Sequence, residues 1–240
     1  MHEKAFILKK TRENRGKKMT IESSKNLGGI GAILLLIGTL PILGTYTFGI
    51  LGIIGLILIL FALYGLANIY KEKGIFTNSM YGLIAGIVGV VIAVVIVVVA
   101  VLNNLKTLLQ DLYPSWNGSW STLSSIQGKT PDTSAISSST IFSLISGAII
   151  AFVVLWIFII IWAFFARKSL TSLSTKSSVG LFSTASLILL IGAFLTIVLI
   201  GVILMWVAIL LLAIAFFQIK PQPEQPMATM AQPPQMPTPV

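Results

Sequence analysis

The sequence predicts an all-α protein, a polytopic transmembrane helix bundle of about six spans with both termini in the cytoplasm. Two observations carry this. No Asp, Glu, Lys, Arg or His falls between Lys25 and Lys71, Lys73 and Lys106, Asp132 and Arg167, or Lys176 and Lys220. The intervening runs are dominated by Leu, Ile and Val, and are long enough to cross a hydrocarbon layer about 30 Å thick. A helix in water needs a polar face, and these stretches have none.

Composition agrees and excludes several chemistries. Of the 240 residues, 56% are hydrophobic and 10% charged, far from globular usage. There is room for one membrane domain, residues 23–219, between a basic segment 1–22 and a Pro/Gln-rich tail 220–240. Cys is absent and the only His is His2, so disulfides, thiolate chemistry and imidazole metal sites are not expected. No cofactor, metal or catalytic residue is predicted. The net charge of +9 is concentrated in residues 1–18, where seven Lys/Arg face Glu3 and Glu13. Beside a first span this reads as a topology signal or an attraction to anionic headgroups, not nucleic-acid binding. No cleavable signal peptide is expected, because the first apolar run has full spanning length and no cleavage-like site precedes a polar domain.

The spans follow in order. The first, about 27–43, starts after the candidate cap Asn26 and is broken by Pro41 and Gly44. Thr45-Tyr46-Thr47 leads into the second, 48–69. The third, 79–102, follows the candidate cap Asn78, and the fourth, 141–166, follows Ser139 and Thr140. From Leu181 to Ile219 there is neither charge nor Pro, and one helix of that length would be twice the bilayer thickness. Two helices, 181–200 and 201–219, turning near Ile200-Gly201, fit better. With six spans, one side holds 14 Lys/Arg and the other only Lys106 and Lys129, which places both termini in the cytoplasm. Translation from Met19 would leave 7 against 2 and the same orientation.

The outer side then carries the loop 103–140. Leu105, Leu108, Leu109 and Leu112 share one helical face, predicting a short interfacial helix beside Tyr113, Trp116 and Trp120. Beyond them a Ser/Thr-rich stretch reads as flexible, and Asn117-Gly118-Ser119 is an N-glycosylation triplet. The proline-rich tail favours extended or disordered chain.

Inside the membrane the organised feature is small residues. Gly49, Gly52 and Gly55 mark the second span, Gly82, Gly86 and Gly89 the third, and Ser143, Gly147 and Ala151 the fourth. This spacing lets helix backbones approach, either within one bundle or between copies and other membrane proteins. The predicted partners are accordingly the lipid bilayer and helices of this or other membrane proteins. No carboxylate exists at depth to carry a proton or cation. The functional expectation is a non-enzymatic packing or scaffold protein or complex subunit; the alternative is a passive channel or carrier for a neutral or apolar solute, lined by hydroxyls and aromatics such as Tyr64, Tyr81, Trp156 and Trp206.

Three stretches carry a resemblance: Ser23-Ser-Lys-Asn-Leu-Gly-Gly-Ile-Gly31 onward to Gly38; Gly49-Ile-Leu-Gly-Ile-Ile-Gly55 continuing to Lys71-Glu-Lys-Gly-Ile-Phe-Thr-Asn-Ser-Met-Tyr-Gly82; and Leu190-Ile-Gly-Ala-Phe-Leu-Thr196 continuing to Leu212-Ala-Ile-Ala-Phe-Phe217. Over roughly residues 19–219 the chain resembles an archaeal multi-pass membrane family, domain of unknown function 996. The resemblance implies the topology and supplies no activity or site residue.

Overall fold

The computed structural model describes residues 19–39 and 45–220, without the side chains of 45–48. The basic segment 1–18, the expected break at Pro41 and Gly44 and the tail 221–240 lie outside the described residues. Six α-helices and no strand occur among the described residues: α1 Ile21–Gly38, α2 Thr45–Ile69, α3 Lys73–Leu112, α4 Ser138–Ser177, α5 Leu181–Leu195 and α6 Ile200–Phe217. Five helical stretches, Gly49–Ile69, Lys73–Leu112, Ser138–Ser177, Leu181–Val198 and Ile200–Phe217, are long and apolar enough to cross a membrane.

Helix ends depart from the apolar runs in a consistent way. α1 begins at Ile21, not after Asn26, because Thr20 and Ser23 form a reciprocal cap: Thr20 Oγ1 accepts from Ser23 N at 3.1 Å and Ser23 Oγ from Thr20 N at 3.1 Å. α3 begins at Lys73 rather than after Asn78, and α4 at Ser138, capped by Ser137. Polar residues flanking an apolar run are helical too once they leave the hydrocarbon, so the run underestimates the helix.

The expected interfacial helix at 105–112 is corrected on the same ground. It is the last part of α3, which runs unbroken for 40 residues, about 60 Å. Asn103 and Asn104 do not stop it; the Asn104 amide donates to Ala100 O at 2.8 Å, one turn back. α4 is equally long, continuing past Arg167 to Ser177.

The stretch 181–219 contains two helices, but the turn precedes Ile200-Gly201. A 3₁₀ turn at Thr196–Val198 leads to Leu199, which takes the left-handed conformation with φ +64°. Gly201 has another task. A Cβ there would collide with Gly192 O of α5 and Thr196 N of the 3₁₀ turn, so the missing side chain lets α6 fold flat against α5.

The helices form a ring in chain order. Each packs on its sequence neighbours, and α6 closes against α1. The largest core cluster lies at the end bearing the 70–72 and 178–180 turns. There Leu66, Ile75, Leu173, Phe182 and Phe216 are fully enclosed, and the Phe182 and Phe216 rings meet edge to face at 5.1 Å. A second cluster of Ala163, Leu189, Ala193 and Ala208 joins α4, α5 and α6.

Candidate functional site

The small residues are the natural starting point, since the sequence offers no ionisable group at depth. Gly31 and Gly55 face each other across α1 and α2: a Cβ on Gly31 would lie 2.8 Å from Gly55 O and 2.9 Å from Ile59 N. These obstacles are backbone atoms, which cannot rotate away. Gly52 lies beside Gly38 of α1, at ordinary contact distance, and Gly49 has open space where a Cβ would be.

Across α3 and α4 the two predicted stripes do not meet one another; each faces other residues of the partner helix, at opposite ends of the pair. Gly82 sits under Trp162 O and Phe165, Gly89 under the Phe158 ring, and Gly86 more loosely beside Trp162. At the far end Gly147 opposes Ala100, with Ala151 buried and Ser143 half-buried on the same face. Their spacing follows the helical repeat, so each glycine admits the bulky residue that its partner helix presents. Gly28 and Gly29 perform the same service for Phe216 and Phe217 of α6.

The ring encloses a small cavity of about 90 Å³ to which all six helices contribute, among them Leu35, Leu56, Leu83, Leu189 and Leu212. Ser79 is its hydroxyl, and that group is already engaged. Its oxygen lies 2.7 Å from Ser169 Oγ and 3.1 Å from Ile75 O, and Ser169 Oγ lies 2.5 Å from Ile75 O, so one hydroxyl donates to the other and the second donates to that carbonyl. Of the four aromatics expected to line a path, each has a separate partner. Tyr64 stacks edgewise on Phe76, Tyr81 leans on Phe165, Trp156 Nε1 donates to Ala193 O and Phe194 O at 3.1 and 3.3 Å, and Trp206 Nε1 donates to Thr39 Oγ1 at 2.8 Å.

A polar groove does occur on the outside of α4, where Arg167, Lys168, Thr171, Ser172 and Thr175 line about 460 Å³ beside Phe164. Nearby, Lys176 pairs with Glu72 at 3.5 Å, tying α4 to the α2–α3 turn. Both partners are substantially exposed, so this ion pair contributes little.

At the opposite end the connection between α3 and α4 is pinned where a loose chain was expected. Asp111 Oδ2 accepts from Ser137 N at 3.0 Å, Ser137 Oγ at 2.7 Å and Thr140 Oγ1 at 2.8 Å. These bonds, the Ser137 backbone one foremost, hold the Asp111 carboxyl below its usual pKa. Trp116 is buried, its indole donating to Ser119 O at 3.1 Å and Thr122 Oγ1 at 3.2 Å. Asn117 is exposed, with Oδ1 accepting from Ser119 N at 3.0 Å and Thr122 Oγ1 at 2.6 Å, in a turn that Gly118 makes with φ +76°. Sequence reasoning missed Asp111, whose partners lie 26 and 29 residues away. The signal that existed was the Ser137-x-x-Thr140 spacing of a helix start. Among the described residues no group of three or more His, Cys, Asp and Glu could hold a metal.

Fold and site together define an all-helical protein with helices of membrane-crossing length, closely packed through small residues. The model of the family described as Protein of unknown function (DUF996) matches residues 51–210, and the chain belongs to that family. No curated protein and no solved structure matches it.

Proposed function

We propose that this protein is a non-enzymatic integral membrane protein, a packing scaffold or subunit of a membrane complex. All six helices enter the bilayer, and both termini face the cytoplasm, as the Lys/Arg bias requires. The single observation that carries the reading is the use of the small residues. Gly31 with Gly55 and Gly192 with Gly201 bring helix backbones together, and Gly82 and Gly89 make room for Trp162, Phe165 and Phe158 of α4. Such a ring leaves its apolar exterior to lipid and to neighbouring helices.

In-membrane crosslinking of the full chain is the test. Discrete adducts with itself or with other membrane proteins are expected; a chain that remains monomeric and uncrosslinked counts against the proposal.

A second reading, a passive carrier for a small apolar solute, rests on the cavity of about 90 Å³ shared by all six helices and lined almost wholly by Leu and Ile. Flux of such a solute into proteoliposomes above the rate of empty vesicles would favour it.

A further inference from the structure

Residues 195–203 make a turn unlike the other connections among the described residues. The tip residues Ile197, Val198, Leu199 and Ile200 are 47%, 55%, 70% and 60% exposed. The polar side chain of this stretch, Thr196, is buried, its hydroxyl donating back to Gly192 O at 2.8 Å. A connection at a membrane surface carries groups that seek water, as the 113–137 loop does. This one carries none.

Its depth follows from α4. Trp156 bonds the carbonyls at the end of α5, so the two lie at one level. Trp156 is 11 residues from Arg167 in the basic groove and 13 from Ser143, which lines a recess with Asn103 and Asn104. At roughly 1.5 Å per residue these intervals are about 17 and 20 Å, so Trp156 sits near the middle of a hydrocarbon layer about 30 Å thick. α3 and α4 run on past this level with Val94, Val98, Leu102, Ile145 and Ile149 exposed, an apolar surface suited to hydrocarbon. A bilayer placed to cover it submerges the tip of α5–α6. α1 also stops in this region, with Thr39 against Trp206 of α6.

A helix end in hydrocarbon has no water for its last carbonyls, and each left bare is costly. Here the protein supplies the donor. The Trp156 indole takes Ala193 O and Phe194 O, and Leu199 N takes Thr196 O at 3.0 Å.

We propose that α5 and α6 form a re-entrant hairpin, entering and leaving through the charged face, its tip resting on the acyl chains of the opposite leaflet. At about 1.5 Å per residue the 18 residues of α6 extend about 27 Å, so the tip lies a turn past the Trp156 level and short of the far ends of α3 and α4. Six helices then displace lipid on the side of the charged face. Among the described residues, only α3, α4 and the first turns of α2 continue past the tip toward the far surface. The protein is a wedge, favouring membrane whose charged-face leaflet is convex. The inference rests on membrane embedding and not on the scaffold role.

The chain has no cysteine, so single-cysteine variants of the full-length protein in lipid vesicles test this directly. Ser121→Cys and Ser178→Cys should react with an impermeant maleimide from opposite faces. Val198→Cys and Leu199→Cys should react from neither face and fully once detergent is added. A nitroxide at 198 should collide with oxygen and not with a water-soluble nickel chelate. Reaction of 198 or 199 from the Ser121 face would overturn the re-entrant hairpin, and a nitroxide shielded from both colliders would replace lipid contact by protein. Reaction of 121 and 178 from one face would instead refute the membrane placement itself. The fraction of Ser178→Cys facing outward should be higher in small than in large vesicles; equal fractions would remove the wedge.

Discussion

Asp111, in the last turn of α3, binds Ser137, the cap of α4, through both the backbone N–H at 3.0 Å and the hydroxyl at 2.7 Å. One carboxylate thus joins the C-terminal end of α3 to the N-terminal end of α4, the two longest helices, and orients the residue that starts the second.

Because these bonds need the ionised form, the Asp111 pKa is lowered on folding. A carboxylate of lowered pKa adds stability that is fully present above its unfolded pKa and is lost as pH falls through the folded value. Asp132, held down by the Ser134 hydroxyl and N–H, behaves alike. Thermal unfolding in detergent should therefore show a midpoint that falls only at acid pH. In Asp111→Asn the neutral-pH midpoint should already be lower, and the remaining acid dependence shallower. An unchanged acid slope in the variant would remove Asp111 from this role.

The Gly31–Gly55 crossing makes a sharper stability prediction. A methyl group on Gly55 would lie 3.0 Å from Leu35 Cα and nearer still to backbone N and O. Overpacking against atoms that cannot rotate away costs about 1–3 kcal/mol. Gly31→Ala and Gly55→Ala should each lower stability by that amount, while Gly49→Ala, with open space around it, should change it by less than about 0.5 kcal/mol. Equal effects at 49 and 55 would mean that helix propensity, not the crossing, is being measured.

These residues also show what was legible. Gly82, Gly89 and Gly147 announce close helix contact by spacing alone, because the helical repeat aligns them whatever the partner is. What they touch depends on how α3 and α4 meet, and no local pattern encodes that. The apolar runs located the helices but not their ends: α3 outlasts its run by ten residues, to Leu112, since Asn104 pays its own hydrogen bond back to Ala100. Gly201 suggested a turn by its type, yet the chain turns at Leu199 and keeps the glycine for its contact with α5. The Trp156 and Asp111 bonds join distant elements and were invisible for that reason.

Ser24 offers a test of opposite sign. It is fully buried beside Gly65, and among the described residues its hydroxyl has no hydrogen-bond partner. An unsatisfied buried donor costs about 1–3 kcal/mol, and alanine removes it with little loss of packing. Ser24→Ala should leave the protein as stable or raise its stability by about 1 kcal/mol. Ser169→Ala, which breaks bonds to Ser79 and to Ile75 O, should lower it. A loss at Ser24 as large as that at Ser169 would show that the hydroxyl has a partner after all.

Trp156 is the last and most informative position. Its indole N–H reaches Ala193 O and Phe194 O, while its ring stays half-buried between α4 and α5. Trp156→Phe keeps most of the ring and removes only the donor. If those carbonyls stood in water, solvent would replace the indole and the change would be nearly neutral. In hydrocarbon there is no replacement, and the loss should be about 0.5–1.5 kcal/mol. Trp120→Phe, at an exposed ring in the α3–α4 loop, supplies the control and should be close to neutral. Unfolding of both variants in bilayer-like bicelles separates the cases. A Trp156→Phe protein as stable as its parent would place the end of α5 within reach of water, and the α5–α6 turn at the membrane surface.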